Sequence, residues 1–325
     1  MLAVVAALTN CPTAPFHEEA VRAEIESQLR GSPGVKLERD RFGNLIATYR
    51  RSRANQTGWA LAAHMDHPGW VRNAEGQMQF LGSVAERFRK RPKRKRFGEF
   101  AMWDLPAFEV HDGQIHSRAC DDLLGCAVII CVLRALAETE AAASCLGLFT
   151  RAEEVGFVGA IQLAKSGRLS RRLTILSLET STPRGSAEIG KGPIVRVGDR
   201  LSIFDGRSTA LLLQAAEEAK IPVQRCLLDG GACEATAYQL YGYTCSGASL
   251  ALGNYHNVTP EGRIAAEFVA IEDFLGMVQL CGATITQDQS EDPQAALRTR
   301  LEANADGFRQ FYRRRVATSD RAGSA

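Results

Sequence analysis

The sequence lacks a disulfide pattern and the motifs of several large enzyme classes. It contains nine cysteines among 325 residues, but no C-x-x-C pair. An odd, unpatterned set of thiols favours reduced cysteines in a cytoplasmic protein over a disulfide framework. No Walker motif, no G-x-G-x-x-G after a strand and no G-x-S-x-G elbow is present. The sequence therefore does not favour a serine or cysteine hydrolase.

Long apolar runs and a strong excess of charge of one sign are also missing. Residues 1–8 are apolar but too few to span a bilayer, and no basic segment precedes them. They predict an opening helix rather than a signal peptide, and no membrane partner is expected. The net charge of +2 indicates no particular partner for the whole chain.

The order of the predicted elements indicates the fold class. Apolar strands alternate with amphipathic helices, which predicts an α/β fold with a mostly parallel sheet flanked by helices. Residues 69–116 differ, because they contain short β-like pieces and turn signals without helical periodicity. The predicted organisation is a main domain at 1–68 and 117–285, a small β-rich insert at 69–116, and a polar helix and tail at 286–325. Helices are predicted within it at 267–285 and 294–315.

Two adjacent carboxylates stand out in the segment RAEEVGFVGA, residues 151–160. Glu153 and Glu154 follow an apolar strand and precede a helix, which is where sites form in open α/β sheets. Neighbouring side chains there point in different directions, so one carboxylate can bind a metal while the other moves a proton. Alone, such a pair is in most cases explained by acidic residues at a helix N-terminus, where they complement the helix dipole.

Further ligand-type residues lie at the ends of other predicted elements. His64 and Glu179 follow apolar strands, Asp121 opens a long helix, and His256 follows the last strand. Singly, each has a common structural explanation, such as a helix cap or a histidine hydrogen-bonded to backbone. Together they form the ligand chemistry of a zinc, cobalt or manganese site. The set is larger than one tetrahedral zinc needs and suits two hydrolytic metals bridged by a carboxylate.

The motifs that carry these residues resemble a known enzyme family. They are His64-Met-Asp66, Cys120-Asp-Asp-Leu-Leu-Gly-Cys126, Glu153-Glu-Val-Gly-Phe-Val-Gly159, Gly190-Lys-Gly-Pro193 and Asn254-Tyr-His256. In this order they resemble the co-catalytic metallo-aminopeptidases of the tetrahedral and glutamyl aminopeptidase group. The resemblance extends to about residue 279 and implies the zinc exopeptidase fold.

The resemblance also implies a role for each residue. His64 binds one metal, and Asp66, which does not bind the metal itself, orients the imidazole of His64. Asp121 bridges both metals, and Glu153 is the general base. Glu179, in place of the family's usual Asp, completes the site of His64, while Glu154 and His256 hold the second metal. Two divalent ions are therefore expected, zinc first, with cobalt or manganese as alternatives.

Two departures from the family pattern concern substrate and assembly. A stretch that usually reads Gly-Thr-Asp is here Gly230-Gly-Ala-Cys-Glu234. Cys233 and Glu234 are therefore candidate substrate-binding residues. The family's larger β domain helps to build hollow assemblies, so a homo-oligomer is expected, with its form left open by the shorter insert.

The basic run from Arg87 to Arg96 is the strongest charge feature. A solvated insert loop is the expected explanation. Binding of an anionic partner such as nucleic acid is one alternative, and selection of acidic substrates by an insert that lies over the active site is another. The sequence as a whole predicts a dinuclear metal-dependent exopeptidase that removes N-terminal residues from peptides. A carboxypeptidase or N-acyl amino acid deacylase on the same metals is one alternative. A non-catalytic protein that binds partners through the basic insert is another.

Overall fold

The computed structural model describes residues 1–51, 58–89, 93–288 and 292–311. It divides into a unit at residues 1–287 and a second unit at 288–325. The strands of the first unit are β1 Val35–Arg39, β2 Leu45–Arg50, β3 Trp59–His64, β4 Gly69–Arg72, β5 Met78–Leu81, β6 Arg94–Phe97, β7 Phe100–Trp103, β8 Glu109–His111, β9 Gln114–Ser117, β10 Ser144–Thr150, β11 Thr174–Ser181, β12 Ile194–Gly198, β13 Gln224–Leu227, β14 Thr244–Ala251 and β15 Glu267–Ala270.

The helices of the same unit are α1 Leu2–Asn10, α2 Glu19–Leu29, α3 Glu86–Arg89, α4 Leu123–Glu138, α5 Val158–Lys165, α6 Gly206–Glu218, α7 Glu234–Leu240 and α8 Ile271–Thr286, with a 3-10 turn at Tyr255–Asn257. In the second unit, α9 spans Ala295–Gly307. This helix lies within the one predicted at 294–315; residues 309–311 are helical again after a turn at Phe308, and residues 312–315 lie outside the described part.

An eight-stranded sheet in the order β1-β2-β10-β3-β11-β14-β12-β13 forms the centre of the first unit. The four middle strands, β10, β3, β11 and β14, run parallel to one another. The pairs β1–β2, β2–β10 and β14–β12 are antiparallel, and β13 pairs parallel with β12. All six residues of β3 are buried, as expected for a parallel strand covered on both faces. The predicted α/β class is confirmed.

Helices cover both faces of this sheet. The larger core packs α1, α2, α4, α6 and α8 against one face, and the smaller core packs α5 and α7 against the other. Helix α4 is buried along nearly its whole length, and the side chain of Asp122 caps it by accepting a hydrogen bond from Gly125 N at 3.2 Å. This cap places the preceding residue, Asp121, at the edge of the sheet.

Residues 69–117 contribute to two smaller sheets. One has the strand order β5-β4-β7-β6 and the other the order β15-β9-β8. Strand β15 comes from residues 267–270, which the sequence predicts as the start of a helix. That prediction is wrong at its first turn, because these residues pair with β9 and the helix begins only at Ile271. The domain limits themselves stay a prediction.

The described helices include none with the length and apolar character that a bilayer crossing requires.

Candidate metal centre

The parallel strands bring the predicted ligands to one edge of the sheet. His64 is the last residue of β3 and stands in register with Thr150, the last residue of β10. Glu153 and Glu154 occupy the turn that follows Thr150. Glu179 lies on the neighbouring strand β11, which continues two residues beyond it rather than ending before it as predicted. His256 lies in the turn after β14.

Asp121 lies between the two imidazoles. Its Oδ1 is 3.4 Å from His64 Nε2, and its Oδ2 is 3.5 Å from His256 Nε2. Burial favours the protonated carboxyl, but the two adjacent imidazoles, of His256 and His64, outweigh burial and hold the pKa of Asp121 well below its usual range. One carboxylate thus presents one oxygen to each histidine, which is the arrangement a bridging ligand requires.

Other carboxylates besides that of Asp121 lie close to each of the two histidines. His256 Nε2 lies 3.2 Å from a Glu154 oxygen. Ligand atoms of His64, Glu153 and Glu179 lie within 4.8 Å of one another, as do those of His64, Asp121 and Glu154. The buried atoms Asp121 Oδ1, Glu154 Oε1, Glu179 Oε1 and His256 Nε2 have no hydrogen-bond partner among the described residues. Buried polar atoms rarely stay unsatisfied, so this converging set fits cations.

The charge balance of the site also fits cations. Burial lowers the pKa of His64, yet the neighbouring carboxylates of Glu153, Asp121 and Asp66 raise it well above its ordinary value. Burial raises the pKa of Glu179 to about 8, and the charge of His64 opposes that rise. The carboxylates therefore outnumber the available positive charge, a surplus that divalent ions would neutralise.

Asp66 connects His64 to the turn that carries the paired glutamates. Its Oδ1 accepts a hydrogen bond from Glu153 N at 2.9 Å, and its Oδ2 accepts one from Glu154 N at 3.1 Å. The same Oδ1 lies 3.6 Å from His64 Nδ1. Asp66 is fully buried. One carboxylate thus fixes both the imidazole and the backbone of the two adjacent acids.

Glu153 is an acid of this group whose surroundings favour its protonated form. Its side chain is 11% exposed, and its Oε2 lies 3.9 Å from His64 Nε2. Burial first, and then repulsion by Glu179, Glu154 and Asp66, raises its pKa well above the ordinary value against the charge of His64. A carboxylate with this environment is suited to accept a proton from water.

The centre opens into a cleft of about 470 Å³. Besides the ligand set, three guanidinium groups line it, those of Arg184, Arg196 and Arg200. Arg196 lies on β12, is only 3% exposed, and its Nε has no hydrogen-bond partner among the described residues. The cleft therefore combines an acidic metal centre with a buried arginine whose Nε–H has no hydrogen-bond partner among the described residues.

The predicted substrate-binding residues lie beneath the cleft wall. The backbone segment Gly230, Gly231 and Ala232 lines the cleft, whereas Cys233 and Glu234 are buried and are not among the lining residues. Burial raises the pKa of Glu234 to about 7. Contact of either side chain with a substrate stays a prediction.

Sequence analysis missed two residues that matter to this site. Arg196 interrupts the apolar strand Ile194-Val-Arg-Val, and a charged residue inside such a strand was the available signal. Glu267 contacts the backbone of two candidate ligands. The sequence does not single it out, because the spacing of acidic and apolar residues around it is typical of a helix.

Known proteins share both the sequence pattern and the fold of this chain. Residues 89–271 match the model of the family described as M42 glutamyl aminopeptidase. Among solved structures, the TET1 peptidase of Pyrococcus horikoshii superimposes with a TM-score of 0.73 at 20% identity, covering 88% of this chain and 99% of that one.

Two archaeal aminopeptidases are similar to a comparable degree. The aminopeptidase APDkam598 from Desulfurococcus kamchatkensis matches with a TM-score of 0.73 at 19% identity, covering 90% of this chain and 95% of that one. The TET aminopeptidase from the marine sediment archaeon Thaumarchaeota archaeon SCGC AB-539-E09 matches with a TM-score of 0.74 at 16% identity, covering 90% and 98%. At these identities the likeness concerns the fold.

Proposed function

Because the chain belongs to the M42 glutamyl aminopeptidase family and is a metallo-aminopeptidase, we propose that it removes N-terminal residues from peptides using two divalent ions and Glu153 as general base. The position of Asp121 is the observation that supports this proposal, because one of its oxygens faces His64 and the other faces His256. The alternatives on the same metals, a carboxypeptidase or an N-acyl amino acid deacylase, are outcomes of the test below.

The proposed ligand sets follow the distances around Asp121. His64, Glu179 and Asp121 would hold one ion, and Glu154, His256 and Asp121 would hold the other; Glu153, whose ligand atom also lies near those of His64 and Glu179, is assigned to proton transfer instead. Zinc suits this mixture of imidazole and carboxylate, with cobalt and manganese as alternatives. When bound, such a pair supplies a water of lowered pKa and polarises the carbonyl under attack.

Glu153 is the residue that moves the proton. Its carboxylate takes the proton of the attacking water and delivers it to the leaving amine. Asp66 holds the backbone of Glu153 by the hydrogen bond from its N–H, so the position of the base is fixed relative to His64. The raised pKa of Glu153 favours proton uptake, because burial and neighbouring acids destabilise its charge.

The arginines of the cleft favour an acidic N-terminal side chain. Arg196 is buried beside the centre without a hydrogen bond at Nε. A buried N–H without a hydrogen-bond partner destabilises the protein, and a bound carboxylate would satisfy it with a charge-assisted hydrogen bond. Arg184 and Arg200 line the same cleft and add positive potential for the approach of an anionic substrate.

A homo-oligomer and a cytoplasmic location complete the proposal. The TET1 peptidase of Pyrococcus horikoshii can assemble into a tetrahedron or a large octahedral shell, which supports an oligomer here. The nine cysteines are all unpaired thiols, which suits a reducing compartment.

The test is a substrate panel assayed with added metals. Protein stripped of metal is given zinc, cobalt or manganese and is offered glutamyl-, leucyl- and lysyl-anilides, N-acetyl amino acids and N-blocked dipeptides. We expect metal-dependent release from free-amine substrates, the glutamyl substrate first, and a loss of about 10²–10⁴-fold in Glu153→Gln. Glu188→Gln is the matched control, because Glu188 is exposed and does not line the cleft. Turnover confined to blocked substrates would overturn the aminopeptidase proposal.

A further inference from the structure

Strand β15 lies between the two chain segments that end in candidate metal ligands. On one side Glu267 pairs with Ser117, four residues before Asp121. On the other side Phe268 exchanges two backbone hydrogen bonds with Gly253, at 2.9 and 3.2 Å, three residues before His256. The position of β15 therefore controls the distance between the two ligand segments.

The side chain of Glu267 contacts both segments at their ligand ends. Its Oε2 accepts hydrogen bonds from Cys120 N at 2.7 Å and from Asp121 N at 3.1 Å. Its Oε1 accepts one from His256 N at 2.8 Å. Glu267 is fully buried. Each oxygen thus serves a different segment, and a single carboxylate links the backbones of two ligands.

The segment that carries His256 needs such support. Asn254, His256 and Asn257 adopt left-handed φ values of 55°, 52° and 63°. Residues other than glycine hold this conformation only where surrounding contacts impose it. The hydrogen bond from Asn254 Nδ2 to Ala266 O, at 2.7 Å, is a second contact between this segment and the chain just before β15.

We propose that Glu267 is a positioning residue that sets the spacing of Asp121 and His256 for metal binding. The inference rests on the proposed function, because it concerns the ion assigned to Glu154 and His256. Glu267 itself touches neither metal nor substrate; it acts through the backbone N–H groups of the ligands. A glutamine cannot replace it, since three N–H donors need two acceptor oxygens and the amide offers one.

The test measures metal binding, not only activity. Calorimetric titration of metal-free protein with zinc gives the affinity of each ion, and thermal unfolding is followed with and without zinc. In Glu267→Gln we expect binding weakened by about 10–100-fold, as for other residues that orient ligands from behind. The loss should be larger for the ion assigned to Glu154 and His256. The rise in Tm caused by zinc should shrink in the same variant.

Asp273→Asn is the matched control. Asp273 is also a buried carboxylate that accepts two backbone hydrogen bonds, from Gly190 N and Gly192 N, both at 2.7 Å, but it contacts no candidate ligand. This variant should lower the Tm equally with and without zinc and leave both zinc affinities unchanged. A merely structural Glu267 would give the same result as this control, and that outcome would overturn the proposal.

A second variant decides the matter if Glu267→Gln does not fold. Glu267→Asp keeps the charge but shortens the side chain, so it cannot reach both segments, and zinc binding should weaken while the fold is retained. Wild-type zinc affinity in a folded Glu267→Asp protein would contradict the inference. Failure of the wild-type protein to bind zinc, cobalt or manganese would instead contradict the proposed function.

Discussion

Replacing Arg196 with methionine should reverse the substrate preference of the enzyme. Arg196 is 3% exposed in the cleft wall, and methionine keeps much of its apolar stem but removes the guanidinium. A hydrogen bond to a charged group contributes about 1.5–3 kcal/mol. With about 1.4 kcal/mol per factor of ten, kcat/KM for a glutamyl-anilide should fall by about 10–100-fold. The leucyl-anilide should be turned over as well as before or better, because the buried charge no longer needs desolvation.

The assay is steady-state hydrolysis of the glutamyl and leucyl substrates at saturating metal. Saturation is needed because the charge of Arg196 also opposes the rise in the pKa of Glu179, a proposed ligand. Arg184→Met is the matched control, since the Arg184 side chain lines the same cleft but is 51% exposed. Solvent screens an exposed charge, so that variant should change the preference only slightly. An equal loss on both substrates, or no change in their ratio, would refute the role given to Arg196.

Three further predictions follow from the structure. Asp66→Asn should lower kcat by about 10–100-fold with little change in KM, because the N–H groups of Glu153 and Glu154 lose their ionised acceptor; an unchanged kcat would contradict this role. Gly159→Ala should lower the free energy of unfolding in urea by about 1–3 kcal/mol, because its Cβ would clash with the carbonyl oxygen of Arg151. Gly282→Ala in α8, whose Cβ would meet no atom within 4 Å, should be neutral or stabilising by comparison; equal losses in both would be inconsistent with a steric cause. Lys95→Glu with Arg96→Glu on the exposed strand β6 should leave kcat/KM for the leucyl substrate unchanged, and a large loss would show that the basic run acts at the site.

The sequence predicted most of the candidate site because its residues lie at the ends of regular elements. His64 closes a continuous apolar strand, and Asp121 directly precedes the cap of α4. In a parallel sheet such positions share one edge, so proximity follows from topology alone. The predicted α/β fold and the resemblance to metallo-aminopeptidases are both confirmed.

The residues that were missed depend on contacts between distant segments. Glu267 reaches Cys120 and His256 only because β15 pairs with β9, a long-range pairing that the local spacing of apolar residues does not encode. Residues 267–270 looked helical because Ile271–Thr286 continues the same apolar pattern. The sequence does not identify Arg196 as a cleft residue, because the sequence of a short strand does not reveal whether a charged side chain faces a cleft.

The most direct test of the proposed pair of metal ions is an anomalous difference map. Crystals of the protein grown with zinc or cobalt would be measured at the absorption edge of the metal. If two ions bind as proposed, the map should show two peaks per chain, one on each side of Asp121. One peak should lie next to His64 and Glu179, and the other next to Glu154 and His256. A single peak, or peaks away from Asp121, would contradict the proposal that these five residues hold a pair of metal ions.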